Sequence, residues 1–140
     1  MNRFNRIIQI HNEFYQTGGV KRVITKVLRR LIRWYYHSDI AGEAVIKDVY
    51  FCHKGFGIVI HPKAIIGPGT VIQHRVTIGE KETGCVPVIG KNCFIGAGAI
   101  VIGGIKIGDN VKIGAGAVVT KDVPDNCTVV GVPARIIESS

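Results

Sequence analysis

The side chains able to do chemistry in this chain are few. Five histidines (His11, His37, His53, His61 and His74) supply imidazoles, which exchange a proton near neutral pH, and four cysteines (Cys52, Cys85, Cys93 and Cys127) supply thiols. No two cysteines form a CxxC pair, so neither a zinc ribbon nor a redox dithiol is indicated and reduced thiols are expected. Cys52 beside His53 suggests a nucleophile and its base, but neighbours on a strand face opposite ways, so Cys52 is read as a core residue. His53, His61 and His74 lie eight and thirteen residues apart, which is not the short one-face spacing of a zinc site; no metal is expected. His61 precedes Pro62 and reads as a corner element, and His74 stands just before the segment VTIG as an acid–base candidate. His11 and His37 belong to no constellation.

The elements that must position these groups follow a six-residue beat. Aliphatic residues open hexads at Ile40, Ile46, Ile60, Ile66, Ile72 and Ile78, and again at Ile89, Ile95, Val101, Ile107, Ile113 and Val119, with Cys52 filling the remaining head. That period fits neither an amphipathic helix nor a hairpin; it fits a parallel β-helix in which each hexad is a short strand and a corner. Heads point inward, and Gly, Asn and Asp in IGPGTV, IGKNCF, IGAGAI and IGDNVK take the corners, where a positive φ is needed. The beat breaks between Cys52 and Ile60 and between Ile78 and Ile89, so residues 80–88 must loop out, and such insertions are where solenoids build sites.

Residues 1–37 differ in kind. They hold eight Lys or Arg and one acid, Glu13, whereas residues 38–140 hold ten basic and nine acidic residues. The chain therefore divides into a basic appendage, 1–37, and a coil, 38–140. In the appendage Phe4, Ile7, Ile8, His11, Phe14 and Tyr15 recur at helical spacing, and after Gly18-Gly19 the pattern resumes at Val20, Ile24, Val27, Leu28, Leu31 and Tyr35. The spacing predicts two amphipathic helices packed by these apolar faces. Lys21, Arg22, Lys26, Arg29, Arg30 and Arg33 would form a solvated face, a layout that also suits an anionic membrane surface. No zinc-finger spacing or basic motif interleaved with aromatics points to nucleic acid. No apolar run is long enough to span a bilayer and no cleavable leader is legible, so a cytoplasmic protein is expected, peripheral to the inner membrane face if the basic helix lies on lipid.

The motifs SDIAGEAVI, HKGFGIVIHP, VIQHRVTIGE, the run from VIGKNCFIGAGAI to GAGAVVTKDVPDN, and the ending VVGVPARII resemble the hexapeptide-repeat acyltransferases, and among them the serine acetyltransferase-like group, close to short O-acetyltransferases of cell-surface polysaccharides. The resemblance implies an all-β, left-handed parallel β-helix behind the helical appendage, working as a homotrimer with sites between subunits. It also implies acetyl-CoA as co-substrate, no metal, and direct transfer to a hydroxyl with a His as general base and an Asp orienting it. Ungapped alignment of GIVI and VTIG puts the family Asp on Asp39 and the family His on Lys54, one residue past His53. An ammonium of ordinary pKa, about 10.4, is a poor base at neutral pH and an imidazole near 6.5 a good one, so the role is assigned to His53 with the HKGFG corner locally re-spaced, and His74 is held in reserve. The resemblance places Gly79, Ala97 and Ala115 along the groove for the pantetheine arm, with Lys121 and Arg135 as partners for CoA phosphates.

A sugar or glycan hydroxyl is favoured as acceptor over serine. The family loop carries a His-Pro that helps read the amino acid, and Val86-Pro87 stands in its place; the loop is shorter, and the large helical domain of housekeeping serine acetyltransferases is expected to be missing. Weaker alternatives are a trimeric zinc hydratase resembling the γ-type carbonic anhydrases and a catalytically silent coil serving assembly.

Overall fold

The structure, a computed structural model, describes residues 3–17 and 19–139. The side chains of Lys21 and Arg22, counted above on the basic face, lie outside what is described. Two helices, α1 (Arg3–Thr17) and α2 (Val20–Tyr36), precede fifteen short strands. Three parallel sheets wrap the coil. One face holds β1 (Asp39–Ile40), β4 (Val59–Ile60), β7 (Thr77–Gly79), β10 (Ile100–Ile102) and β13 (Val118–Val119). A second holds β2 (Val45–Ile46), β5 (Ile65–Ile66), β8 (Val88–Ile89) and β11 (Lys106–Ile107). The third holds β3 (Tyr50–Phe51), β6 (Val71–Ile72), β9 (Phe94–Ile95), β12 (Lys112–Ile113) and β14 (Cys127–Val130), closed by an antiparallel β15 (Arg135–Ser139). This is the β-helix the six-residue beat implies.

Register explains why the beat matters. Ile40 pairs with Ile60, Ile60 with Ile78, Ile78 with Val101 and Val101 with Val119, so identical positions of successive turns stack into one apolar column. Most hexads also bury a second residue four places after the head: Ala64, Val76, Cys93, Ala99, Val111 and Ala117 are all buried, whereas Tyr50 is exposed. The corners are left-handed where expected, at Gly69, Asn92, Gly98 and Asn110. Residues 80–85 loop out as exposed backbone, tied by the Gly84 N–H to Glu80 Oε2 at 2.9 Å.

Two expectations need correction. The inward head of the third hexad is Phe51, 1% exposed and paired with Ile72, not Cys52, which is only half-buried. A tight turn at Cys52–Gly55 ends β3 one residue early and carries Cys52 out of the column. Ile46 too is only half-buried.

The second correction concerns α2. Helix α1 packs as its spacing predicts, with Phe4 edge-on to Phe51 (ring centroids 5.6 Å) and to Tyr36 (4.7 Å), and Ile8 buried. Helix α2 does not: Thr25 and Ile32 are its buried residues, while Ile24, Val27, Leu31 and Tyr35 of the expected packing face are exposed. The body captures α2 through Ile32 and an ion pair from Arg29 to Asp39, and these lie about a third of a turn or more away from the apolar stripe.

Candidate active site

The site is built on the turn that follows Phe51. His53 (φ 48°) and Lys54 (φ 57°) both adopt the left-handed conformation, as does Gly55 (φ 64°). Such geometry costs a non-glycine residue on the order of 1 kcal/mol or more, so the surroundings must impose it. Gly55 is required twice, by its φ and by the Phe4 ring, which any side chain there would overlap. Beneath the turn the Ser38 hydroxyl, 1% exposed, donates to the Gly55 carbonyl and accepts the Ile58 N–H at 3.1 Å. The Tyr36 carbonyl accepts the Gly57 N–H at 3.3 Å. Three consecutive left-handed residues, His53, Lys54 and Gly55, take up the longer interval between β3 and β4.

The turn projects the exposed His53 against the next coil. Its ring meets that of His74 edge-on, with centroids 4.8 Å apart and planes 85° to each other. His74 Nδ1 is buried and lacks a hydrogen-bond partner. Beside the pair, Gln73 Nε2 donates to Cys52 Sγ at 3.2 Å. Burial pushes the Cys52 thiol up and outweighs that hydrogen bond, so Cys52 is held as a thiol and not as a nucleophilic thiolate.

Asp39 is not joined to His53. Its carboxylate accepts Arg29 Nε on Oδ1 and Arg33 Nη2 on Oδ2, both at 2.7 Å. Burial alone would raise this carboxyl, but the Arg29 hydrogen bond and the charges of both arginines prevail and hold it below the ordinary carboxylate range. The reason for the correction is placement: Asp39 pairs in register with Val59 on the outer side of its sheet, where α2 passes and supplies two guanidinium groups. The basic face of α2 carried the signal for this, since Arg29 and Arg33 are four apart and project together. A different imidazole meets a carboxylate, with His61 Nε2 3.7 Å from Glu80 Oε1 and His61 Nδ1 accepting the Lys63 N–H.

The groove residues separate into two corners. The Gly98 N–H donates to the His74 carbonyl and the Gly116 N–H to the Ala97 carbonyl, so Ala97 and Ala115 follow His74 along one corner. Gly79 lies across the same sheet, beside Ile102 and Gly103 at the opposite corner. Lys121 and Arg135, both exposed, line one cleft of about 310 Å³ at the C-terminal end of the coil with Thr120, Asp122 and Ala134. Among the described residues no group of three or more His, Cys, Asp or Glu could hold a metal ion.

Residues 87–121 match the family model described as bacterial transferase hexapeptide (six repeats). The serine acetyltransferase of Synechococcus elongatus is 43% identical over 121 residues, covering 84% of this chain and 50% of the relative. The chain is a hexapeptide-repeat protein of the serine acetyltransferase-like group. The crystal structure of Neisseria gonorrhoeae serine acetyltransferase in complex with serine superposes with a TM-score of 0.86 at 35% identity, covering 96% of this chain and 55% of that one. The Brucella abortus serine acetyltransferase in complex with coenzyme A gives 0.87 at 32%, covering 96% and 54%. The hexapeptide-repeat protein thus spans about half the length of the curated relatives it matches. Its likeness to the solved structures exceeds the repeats and takes in the helical pair, beyond the span from residue 38 to 137 that the motifs suggested.

Proposed function

We propose that this protein is an acetyl-CoA-dependent O-acetyltransferase in which His53 is the general base. The observation that carries the reading is the exposed His53 imidazole, fixed by a turn of left-handed residues and set against His74 at the head of the corner that carries Ala97 and Ala115. A hydroxyl placed against His53 loses its proton to the imidazole as its oxygen attacks the thioester carbonyl; the C–S bond then breaks and the imidazolium returns the proton to the departing CoA thiolate. His74 neighbours the base in the place where Asp39 was expected. Corners lined by Gly and Ala let a pantetheine arm approach the backbone, and the Lys121–Arg135 cleft offers two cations to phosphates. A homotrimer with sites between subunits would bring the two groove corners of neighbouring copies together, which gives Gly79 a place in the same groove as Ala97 and Ala115.

Serine is the acceptor that the relatives' names support, and one solved neighbour is a complex with serine. A sugar hydroxyl is the second reading, favoured by Val86-Pro87 where a His-Pro would read the amino acid. In this chain Pro87 is buried and its carbonyl accepts the Ile65 N–H, so the segment belongs to the coil wall. A thiol-release assay with acetyl-CoA against serine and a panel of sugars separates the two. Release with serine alone selects the first reading, release with sugars alone selects the second, and release with neither acceptor class overturns the proposal.

A further inference from the structure

The side of α2 turned away from the coil is apolar and uncovered. Val20, Val23, Val27, Leu31, Trp34 and Tyr35 are each more than half exposed, and Trp34 is 77% exposed. At ~100° per residue they occupy an arc of about 120°, centred about 130° from the buried Thr25 and Ile32. The helix is 17 residues long, so the stripe runs for about 25 Å. Lys26, Arg30 and Arg33 border it on one flank, all exposed, and α2 contains no acidic residue. The Arg29 and Arg33 pairing with Asp39 and the burial of Ile32 fix the helix with this stripe outward. No helix of the described residues is long and apolar enough to cross a membrane.

We infer that α2 docks the protein flat on an anionic lipid surface, with the Val27–Leu31–Trp34 stripe entering the headgroup boundary and Lys26 and Arg30 meeting lipid phosphates. Charge favours this over a two-fold pairing of α2 with itself. An antiparallel contact between two α2 helices would set Lys26 and Arg30 against the same cations of the partner helix with no acid in α2 to offset them, whereas an anionic bilayer neutralises both. Trp34 and Tyr35 at one end supply the amphipathic rings favoured at a lipid–water boundary. That end adjoins the candidate site, because His37 after α2 meets Phe56 of the HKGFG turn at 5.6 Å between ring centroids. The inference stands independently of the acetyl-transfer reading.

Trp34 is the only tryptophan in the chain, so its emission reports this stripe alone. The experiment titrates the whole protein with vesicles of phosphatidylcholine and of equal parts phosphatidylcholine and phosphatidylglycerol, following Trp34 emission and co-sedimentation. Mixed vesicles are expected to shift the emission to shorter wavelength and to carry the protein down, neutral vesicles far less, and added salt to reverse both. Lys26→Gln with Arg30→Gln should weaken partitioning about thirtyfold, at roughly fivefold per cation. Leu31→Ser should weaken it by about tenfold or more. All three positions are exposed, so the variants keep the fold. An unchanged Trp34 spectrum with mixed vesicles overturns the inference. So does a rise in oligomeric mass that Leu31→Ser abolishes while vesicles leave the spectrum unmoved, which would make the stripe an interface between copies.

Discussion

Replacing Ser38 by Ala tests whether the turn bearing His53 is imposed from below. The hydroxyl donates to the Gly55 carbonyl and accepts the Ile58 N–H, and all of this is buried. Alanine removes both partnerships without adding bulk, leaving one donor and one acceptor unsatisfied at roughly 1–3 kcal/mol each, so about 2–6 kcal/mol is expected in total. A chain of 140 residues has an unfolding entropy of about 0.3 kcal/mol per degree, which converts that loss to a fall in melting temperature of about 7–20 °C. The same change frees His53 and Lys54 to leave the left-handed region, so turnover should drop by up to about 10²-fold even at temperatures where the protein stays folded. Circular-dichroism melting and acetyl-CoA thiol release measure the two effects separately. A variant that melts within ~2 °C of the parent and turns over normally would show that the turn holds itself and that the argument from Ser38 is wrong.

Four further outcomes are expected. His53→Asn, which tolerates a positive φ, should lower turnover by about 10²–10⁴-fold with the melting temperature kept, whereas Lys54→Gln should leave turnover within a few-fold; the reverse pattern would move the base to Lys54. Asp39→Asn should cost less than about 1 kcal/mol per lost pair, since Arg33 is largely exposed, and change turnover little; a fall as large as that of His53→Asn would mean the arginine clamp opens to hand the carboxylate to the base. Burial pushes the His11 imidazole below its usual 6.5, more than the Thr25 carbonyl raises it. The unfolded chain therefore takes up this proton first, and stability should be full above pH 6.5 and decline as the pH falls below it. His11→Gln should flatten that part of a melting-temperature profile, and an unchanged slope would reject the assignment. Ile107→Asp places an unpaired charge in the stacked column and should abolish the cooperative melt; a folded variant would contradict the packing described.

The coil was legible because its cause is local and repeated. An aliphatic residue every six positions stacks on its own kind in the next turn, so the sequence alone determined the hexad coil, the left-handed corners at Gly69, Asn92, Gly98 and Asn110, and a loop after Ile78. That loop covers only residues 80–85 of the 80–88 expected, because Pro87 is buried in the wall and Val88 opens β8. His53 was named through the family resemblance and His74 by its place before VTIG, but their contact at 4.8 Å could not be, because it depends on how a five-residue corner folds against the next turn. The swap of Phe51 for Cys52 has the same origin: one early turn moves a side chain from column to surface. Only the tertiary structure decided where Asp39 spends its charge and which side of α2 faces the coil. A helix offers both an apolar and a basic face, and sequence periodicity fixes their angle but not their orientation. Burial of Ile32 and the two arginines on Asp39 chose it, and these are contacts between segments that no local pattern encodes.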